Sequence, residues 1–338
     1  MNQQFSIDGR LLGQECPVYI IAEAGVSHFG SLEKAFQLVD LACLARADAV
    51  KFQIFTVNDL FATESAEWRQ RLANRCLPYE DFDKIQAYCL EKKITFFATA
   101  HDEPSLEYLS QLDVPAYKVG SGEVRNWPFL AKVASLGKPI IFSTGMYTMT
   151  QVEEAMETIA ATGNKNVALL HCITSYPTPA NNVNLRAMDR LRERFNVVTG
   201  YSDHTKGIHF PLAAVARGAR IIEKHITLEY DIPNAQDWKV SCSWGDLPEM
   251  VSQIRDIEVG LGSGTVEPTA AEKESLAWAG KSLVSAVSLE VGQRLRPEMI
   301  VCKRPGTGIP PSEMGSVLNK TVKNSIAADT VIKIDDLE

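Results

Sequence analysis

No apolar run in the 338-residue sequence approaches the length of a bilayer span, which argues against a transmembrane helix. The opening residues, MNQQFSIDGR, lack the basic segment and apolar core of a secretion signal, so the expectation is a cytoplasmic protein with no membrane partner. Positive charge is also short. Against 42 Asp and Glu stand 34 Lys and Arg, a formal net charge of -8. That leaves no basic field for nucleic acid, although a local cationic pocket is compatible with it. Seven cysteines (16, 43, 76, 89, 172, 242 and 302) make no CxxC pair and no zinc-site spacing, and several sit in apolar surroundings where a reduced thiol fills space. GxxxxGK[ST] is missing, as is GxGxxG in the first βα turn, which removes support for nucleotide hydrolysis and Rossmann-type cofactor binding. There is no low-complexity tract and no exact repeat. With 45% hydrophobic and 22% charged residues, the chain is too apolar for disorder and long enough for one large domain plus a small one.

Through about residue 225 one rhythm repeats: a short β-branched run, a polar turn, then a stretch of helical periodicity. The strand candidates are Val18–Ala22, Ala49–Phe52, Thr95–Ala98, Ala116–Val119, Pro139–Phe142, Val167–Leu170, Val197–Gly200 and Arg220–Ile222. Helices are predicted over Leu32–Arg46, Tyr79–Glu91, Pro104–Leu109, Trp127–Ala134, Thr150–Ala161, Leu185–Arg194 and Phe210–Arg217, with a last one over Leu247–Gly260. Eight successive βα units favour a closed (β/α)8 TIM barrel over a doubly wound sheet. From Gly262 the texture changes. GSGTVEPTAAEKE reads as a polar linker or short helical connection, and the runs SLVSAVSL and TVIKI, split by RPGTGIPP, read as a small domain of short strands. The expected division is a barrel over 1–262, a linker over 263–278 and a small domain over 279–338.

In such a barrel, chemistry gathers at the C-terminal ends of the strands. Glu23, Lys51 with Gln53, Thr99 with His101 and Asp102, and the segments KVGSGE, STGM, HCITSYPTP, YSDHT and EKH all fall there. His204 and His225 follow adjacent strands and suit a borderline divalent ion completed by carboxylate and water; the competing role is hydrogen bonding or substrate contact. His171 is a weaker candidate and His209 a structural one. Lys51 and Lys118 can converge on phosphate or a polarised oxygen, with Ser121, Ser143 and Ser202 adding hydroxyl donors, which amounts to a distributed anion pocket. Glu23, Glu123, Asp203 and Asp237 are the acid/base candidates. Asp203 has the alternative of orienting His204. Tyr176 can line a sugar pocket, and Lys224 leaves Schiff-base aldol chemistry open.

These segments carry a family resemblance. IIAEAGVSHFGS, ADAVKFQIF, YKVGSGEVRNWPFLAKVASLGKPIIFSTGM, LLHCITSYPTPANNVNL, GYSDHT, GARIIEKHITL and KRPGTGIPP, in this order through nearly the whole chain, resemble the sialic acid synthase family, the bacterial enzymes that condense phosphoenolpyruvate with an N-acylated hexosamine. The resemblance implies a (β/α)8 barrel with a C-terminal antifreeze-like (SAF, β-clip) domain, and a domain-swapped homodimer. It implies phosphoenolpyruvate contacts from Lys51, Thr99, Lys118, Ser121, Ser143 and Ser202, and metal binding by His204 and His225, with Mn2+ ahead of Mg2+ or Co2+. Glu23, Glu123 and Asp237 are implied as catalytic groups, and Gln53 and Tyr176 as acceptor-binding ones. Arg304 of the partner subunit would meet the acceptor's N-acyl group, with Trp278 as an aromatic wall.

One departure bears on the acceptor. Where the family usually reads Gly-Pro-Asp-His or Gly-Ser-Asp-His, this chain reads NAQDWKVSCSW. Asp237 is kept, while Trp238 replaces a histidine with a large apolar surface. N-acetylmannosamine and a 2,4-diacetamido-trideoxyhexose, leading to legionaminic or pseudaminic acid, both stay open. A lysine-dependent aldolase and a noncatalytic carbohydrate-binding protein are the readings from other classes.

Overall fold

In the computed structural model, which describes Met1–Glu338, the eight β-branched runs close into one parallel barrel. A hairpin of β1 (Phe5–Ile7) and β2 (Arg10–Leu12) precedes it. The barrel strands are β3 (Tyr19–Gly25), β4 (Ala49–Ile54), β5 (Thr95–Ala100), β6 (Tyr117–Val119), β7 (Ile140–Ser143), β8 (Val167–Cys172), β9 (Val198–Asp203) and β10 (Ile221–His225). Each pairs with its neighbour in sequence, and β10 returns to β3 with His225 opposite Glu23. Each starts within a residue of its expected position, but all except β6 run further at the C-terminal end, β7 by one residue and β3, β4, β5, β8, β9 and β10 by two or three. The parallel ladder does not stop where polar residues begin, because those side chains pair with one another across strands. The chemistry-bearing residues therefore lie largely in the last turn of the strands rather than in the loops beyond.

The barrel helices are α1 (Leu32–Leu44), α2 (Val57–Leu60), α3 (Ala66–Leu72), α4 (Tyr79–Lys92), α5 (Glu103–Gln111), α6 (Trp127–Ser135), α7 (Met149–Ala161), α8 (Arg186–Phe195), α9 (His209–Ala216) and α10 (Asp246–Gly260). Several starts are fixed by side chains that accept from an orphan backbone N–H: Ser31 for α1, Asp102 for α5, Asn126 for α6, and Thr148 in a capping box with Gln151 for α7. Asp102 also accepts from Thr56 N at 2.9 Å, so this strand-end acid ties two elements together and does not enter the site. The excursion carrying α2 and α3 was not anticipated. Neither helix buries a residue in the core, so no apolar stripe announced it.

The chain divides into Met1–Gly262 and Ser263–Glu338. Within the second unit, the segment expected as linker carries most of a helix, α11 (Ala270–Ala279), set by a Thr269–Glu272 capping box. Its run AAEKESLAWA is rich in strong helix formers, and no residue of it is buried. β11 (Ser282–Ser285) pairs antiparallel with β12 (Ile300–Lys303), and α12 (Met314–Val317) follows. The TVIKI run contributes an isolated bridge, Val331 opposite Val284. Leu283, Leu289, Leu295, Val317, Val322 and Ile332 are fully buried together, so this unit has an apolar core of its own. No helix in the chain is long and apolar enough to cross a membrane.

Candidate active site

Successive residues of a strand point to opposite sides, so the two-residue alternation decides which polar side chains share the barrel mouth. Lys51 and Gln53, Ser202 and His204, and Glu223 and His225 all line one cavity of about 130 Å3, with Glu23, Thr99, Lys118, Ser121, Ser143 and Tyr176. Lys224, out of phase, does not line it. Its ammonium is fully buried against Asp203, 2.5 Å away, and donates to the Thr205 carbonyl at 2.8 Å. Asp203 also accepts from the Tyr201 hydroxyl at 2.9 Å and from Thr205 N at 3.0 Å. Every acceptor position of this carboxylate is taken up behind the cavity wall, and it makes no hydrogen bond to His204.

A carboxylate that received no role in the sequence reading organises the cavity floor. Glu223 accepts from Ser202 Oγ at 2.9 Å and lies 3.7 Å from Lys51 Nζ and 3.6 Å from Lys118 Nζ. Burial alone would push its pKa up, but Lys118 and Lys51 hold it down at about 2. Lys51 also meets Glu23 at 2.7 Å and donates to Thr99 Oγ1 at 3.0 Å. Burial works against its charge, yet Glu223 and Glu23 leave its pKa raised. Lys118 is lowered, by burial first and by Lys51, with Glu223 opposing. Glu23 goes up because burial outweighs the attraction of Lys51. Gln53 donates to Glu23 Oε1 at 2.9 Å. The backbone makes room for this pair at Gly25, whose φ of +53° lies in the left-handed region and where a Cβ would stand 3.3 Å from Glu23 Oε1. Ser143 Oγ has no partner. Ser121 Oγ accepts from Gly145 N at 3.0 Å, an approach only glycine allows, since a Cβ at residue 145 would fall 2.5 Å from that oxygen.

The His204 and His225 rings lie 5.3 Å apart. His204 Nδ1 stands 2.8 Å from the Ile173 carbonyl. A carbonyl only accepts, so Nδ1 carries the proton and Nε2 faces the Tyr176 hydroxyl at 2.9 Å. Burial opposes a charge on His204, but Cys172, the Ile173 carbonyl and Asp203 raise its pKa to about 8. His225 is pushed down to about 3, by burial first and then by His204 and Lys51, and its buried Nδ1 has no partner. No group of three or more His, Cys, Asp or Glu converges as a metal cage. Two imidazoles, one with an unpartnered buried nitrogen, nevertheless fit a borderline divalent ion whose other ligands are water and substrate oxygen.

A second cavity, about 220 Å3, shares Gln53 and His101 with the first. Asp237 lines it, so this residue belongs to the outer chamber. Its other walls come from the unanticipated excursion, through Trp68, Arg71 and Arg75. Glu123 lines neither cavity. It accepts from Asn126 Nδ2 at 2.6 Å at the start of α6, and burial raises its pKa. His171 packs inside with Nε2 2.7 Å from the Val183 carbonyl. Trp278 and Arg304 lie in the second unit, the guanidinium 5.8 Å over the indole ring, with Trp278 exposed. Glu223 and Cys172 were missed as lining residues. The signal for Glu223 was present, since it stands two residues before His225 on the same strand face.

Comparison with known proteins agrees with this geometry. A model described as the NeuB family matches residues 38–266, and a SAF domain model matches residues 280–338. An N,N'-diacetyllegionaminic acid synthase of Campylobacter jejuni subsp. jejuni is 36% identical over 329 residues, covering 93% of this chain and 98% of that one. The N-acetylneuraminate-9-phosphate synthase of Homo sapiens is 32% identical over 338 residues, covering 96% and 94%. The crystal structure of an N-acetylneuraminic acid (sialic acid) synthetase from Leptospira borgpetersenii serovar Hardjo-bovis, in complex with citrate, superposes with a TM-score of 0.76 at 34% identity, over 82% of this chain and 96% of that one.

Proposed function

The chain belongs to the NeuB family, and from that membership we propose that it joins phosphoenolpyruvate to the open-chain aldehyde of an N-acylated hexosamine, with addition of water and release of phosphate. At the level of the family it is a phosphoenolpyruvate-dependent sugar-acid synthase of the transferase class. The observation that carries the finer reading is the floor of the inner cavity, where two ammonium groups from β4 and β6 flank one carboxylate from β10 and the Ser143 hydroxyl stands without a partner.

In this reading Lys51, Lys118, Thr99, Ser121, Ser143 and Ser202 hold the carboxylate and phosphate of phosphoenolpyruvate. Glu223 keeps the two ammonium groups in place before the anion arrives. Ser143, whose hydroxyl has no partner, donates to an anionic oxygen. C3 of phosphoenolpyruvate forms the new bond to the aldehyde carbon while positive character builds at C2. Water adds at C2, and the tetrahedral intermediate breaks its C–O bond to phosphate, leaving a 2-keto acid. Glu23, raised by burial and oriented by Gln53, takes the proton from that water. His204 and His225 would hold a divalent ion, Mn2+ for preference. When bound, such an ion supplies Lewis-acid polarisation of the aldehyde oxygen. Tyr176, whose hydroxyl meets His204 Nε2, would give that nitrogen up to an ion and turn its hydroxyl to the acceptor beside this pair.

The test is phosphate release from phosphoenolpyruvate with Mn2+ across N-acetylmannosamine, a 2,4-diacetamido-trideoxyhexose and ordinary hexoses, with mass analysis of products. Release that depends on an N-acylated acceptor, together with the corresponding nine-carbon keto acid, is the expected result. Absence of release and product from folded, metal-loaded protein across the panel would sink the proposal.

A further inference from the structure

The outer cavity contains charge that the reaction as described does not use. Arg71 and Arg75 line it, and neither lies within the 4.0 Å ion-pair distance of any carboxylate oxygen. Both spend one donor on the same backbone oxygen, the Asn234 carbonyl: Arg71 Nε at 3.3 Å and Arg75 Nη2 at 2.5 Å. The carbonyl holds the two guanidinium groups side by side, although like charges repel, and leaves most of their donors unengaged. Trp68 stacks 5.0 Å from the Arg71 guanidinium and Phe29 5.1 Å from that of Arg75, so both planes are fixed by aromatic faces. Arg75 is buried. Against these two positive charges the cavity lining holds one carboxylate, Asp237, and His101 is kept neutral by burial, which takes its pKa down to about 4. Glu67 lines an adjoining cleft with the same two arginines but pairs with neither.

The cavity meets the inner one at Gln53 and His101, so an acceptor whose aldehyde reaches His204 and His225 would extend its far end here. Two aligned guanidinium groups with free donors match the planar or tetrahedral oxygens of an anion in a way that a neutral hydroxyl does not. Resting on the synthase reading, we propose that Arg71 and Arg75 form a subsite for a negatively charged substituent, a phosphate ester or a carboxylate, on the end of the acceptor hexosamine remote from its aldehyde. Trp68 adds a flat apolar wall for the sugar face. The same chamber is bounded by Gln236 and Asp237, in the segment NAQDWKV where the sequence departs from the pattern it otherwise resembles.

Isothermal titration of the full chain with N-acetylmannosamine, its 6-phosphate and N-acetylmannosaminuronate, in the presence of Mn2+ and without phosphoenolpyruvate, tests the subsite. One of the anionic sugars should bind at least about tenfold more tightly than the neutral one, the difference expected of one charge-assisted contact. Which of the two does so identifies the anion as phosphate or carboxylate. Arg71→Gln and Arg75→Gln should each collapse that ratio, and Arg71→Lys, which keeps the charge on the half-buried position, should restore much of it. Equal binding of all three sugars to the wild-type protein, or a ratio unchanged in both glutamine variants, overturns the subsite. Phosphate release measured on the same samples separates the two readings. An anionic preference with no release in any mixture would leave the subsite and remove the synthase reaction, whereas release with the neutral sugar and no preference would do the reverse.

Discussion

Glu223 Oε1 lies 3.6 Å from Lys118 Nζ, the two side chains reaching the cavity floor from strands that are not neighbours in the barrel. With Lys51 on its other oxygen, this carboxylate is the fixed negative charge between the two ammonium groups proposed to hold an anion. Glu223→Gln keeps the shape and removes the charge. Breaking a buried pair from one side costs about 3 kcal/mol or more, so the variant should melt well below the wild type. Phosphoenolpyruvate supplies the missing negative charge, and it should therefore raise the melting temperature of the variant by more than that of the wild type. A smaller or equal rise in the variant would show that Glu223 does not hold the lysines for an anion.

Lys224 is sequestered with Asp203 behind the cavity. Borohydride added with pyruvate or a sugar aldehyde should leave its mass unchanged, because no carbonyl reaches the amine. Lys224→Met should destabilise the protein by about 3 to 5 kcal/mol through the uncompensated Asp203, and Asp203→Asn combined with Lys224→Met should recover part of that loss. A reduced adduct mapped to Lys224 would reinstate the aldolase chemistry.

The two glutamates left equivalent by sequence are separated by position. Glu23 lines the inner cavity with Lys51 and Gln53 on it, while Glu123 is engaged by Asn126 outside it. Glu23→Gln should lower kcat by about a hundredfold or more, the scale of a proton-transfer group. Glu123→Gln should act mainly on folding or KM. If the kcat losses come out reversed, the roles must be exchanged.

His28 is fully buried and its pKa is lowered to about 4 by burial, against about 6.5 in an unfolded chain. The unfolded state therefore binds the extra proton between those values. The stability from keeping this ring neutral is complete above about pH 6.5 and is lost as pH falls towards 4, up to about 3 kcal/mol in all. Urea unfolding at pH 7.5 and pH 5 should show a loss about 2 kcal/mol smaller in His28→Gln than in the wild type. His101, His171 and His225, also lowered by burial, contribute with the same sign, and His204, raised to about 8, with the opposite one, so the difference between the two proteins is the quantity to read. Identical losses would clear His28 of any part in acid sensitivity.

Much of the barrel could be read from periodicity, because its strands are short β-branched runs and its helices present regular apolar faces to them. The start of α7 follows from Thr148 and Gln151 alone. The ends of β9 and β10 did not follow, since a run such as YSD or EKH looks like a loop until its partners across the barrel are known. The site shared that limit. Lys51, Ser202 and His225 were identifiable as polar groups at strand ends, but the division between Glu223 and Lys224 depended on which phase of the alternation faced the mouth. Trp68, Arg71 and Arg75 were not legible at all, because α3 covers a chamber and not a core, and nothing in its spacing distinguishes that from a solvated surface helix.

The closure of the barrel gives the order of synthesis a consequence for chemistry. Glu23 emerges early and His225 about two hundred residues later, yet they face each other across the seam between β3 and β10. A chain still held on the ribosome with β10 inside the exit tunnel owns the lysines and most of the hydroxyls but lacks Glu223, His225 and the strand that joins the two edges. The barrel seam, and with it the inner cavity, therefore cannot close until the eighth barrel strand is free.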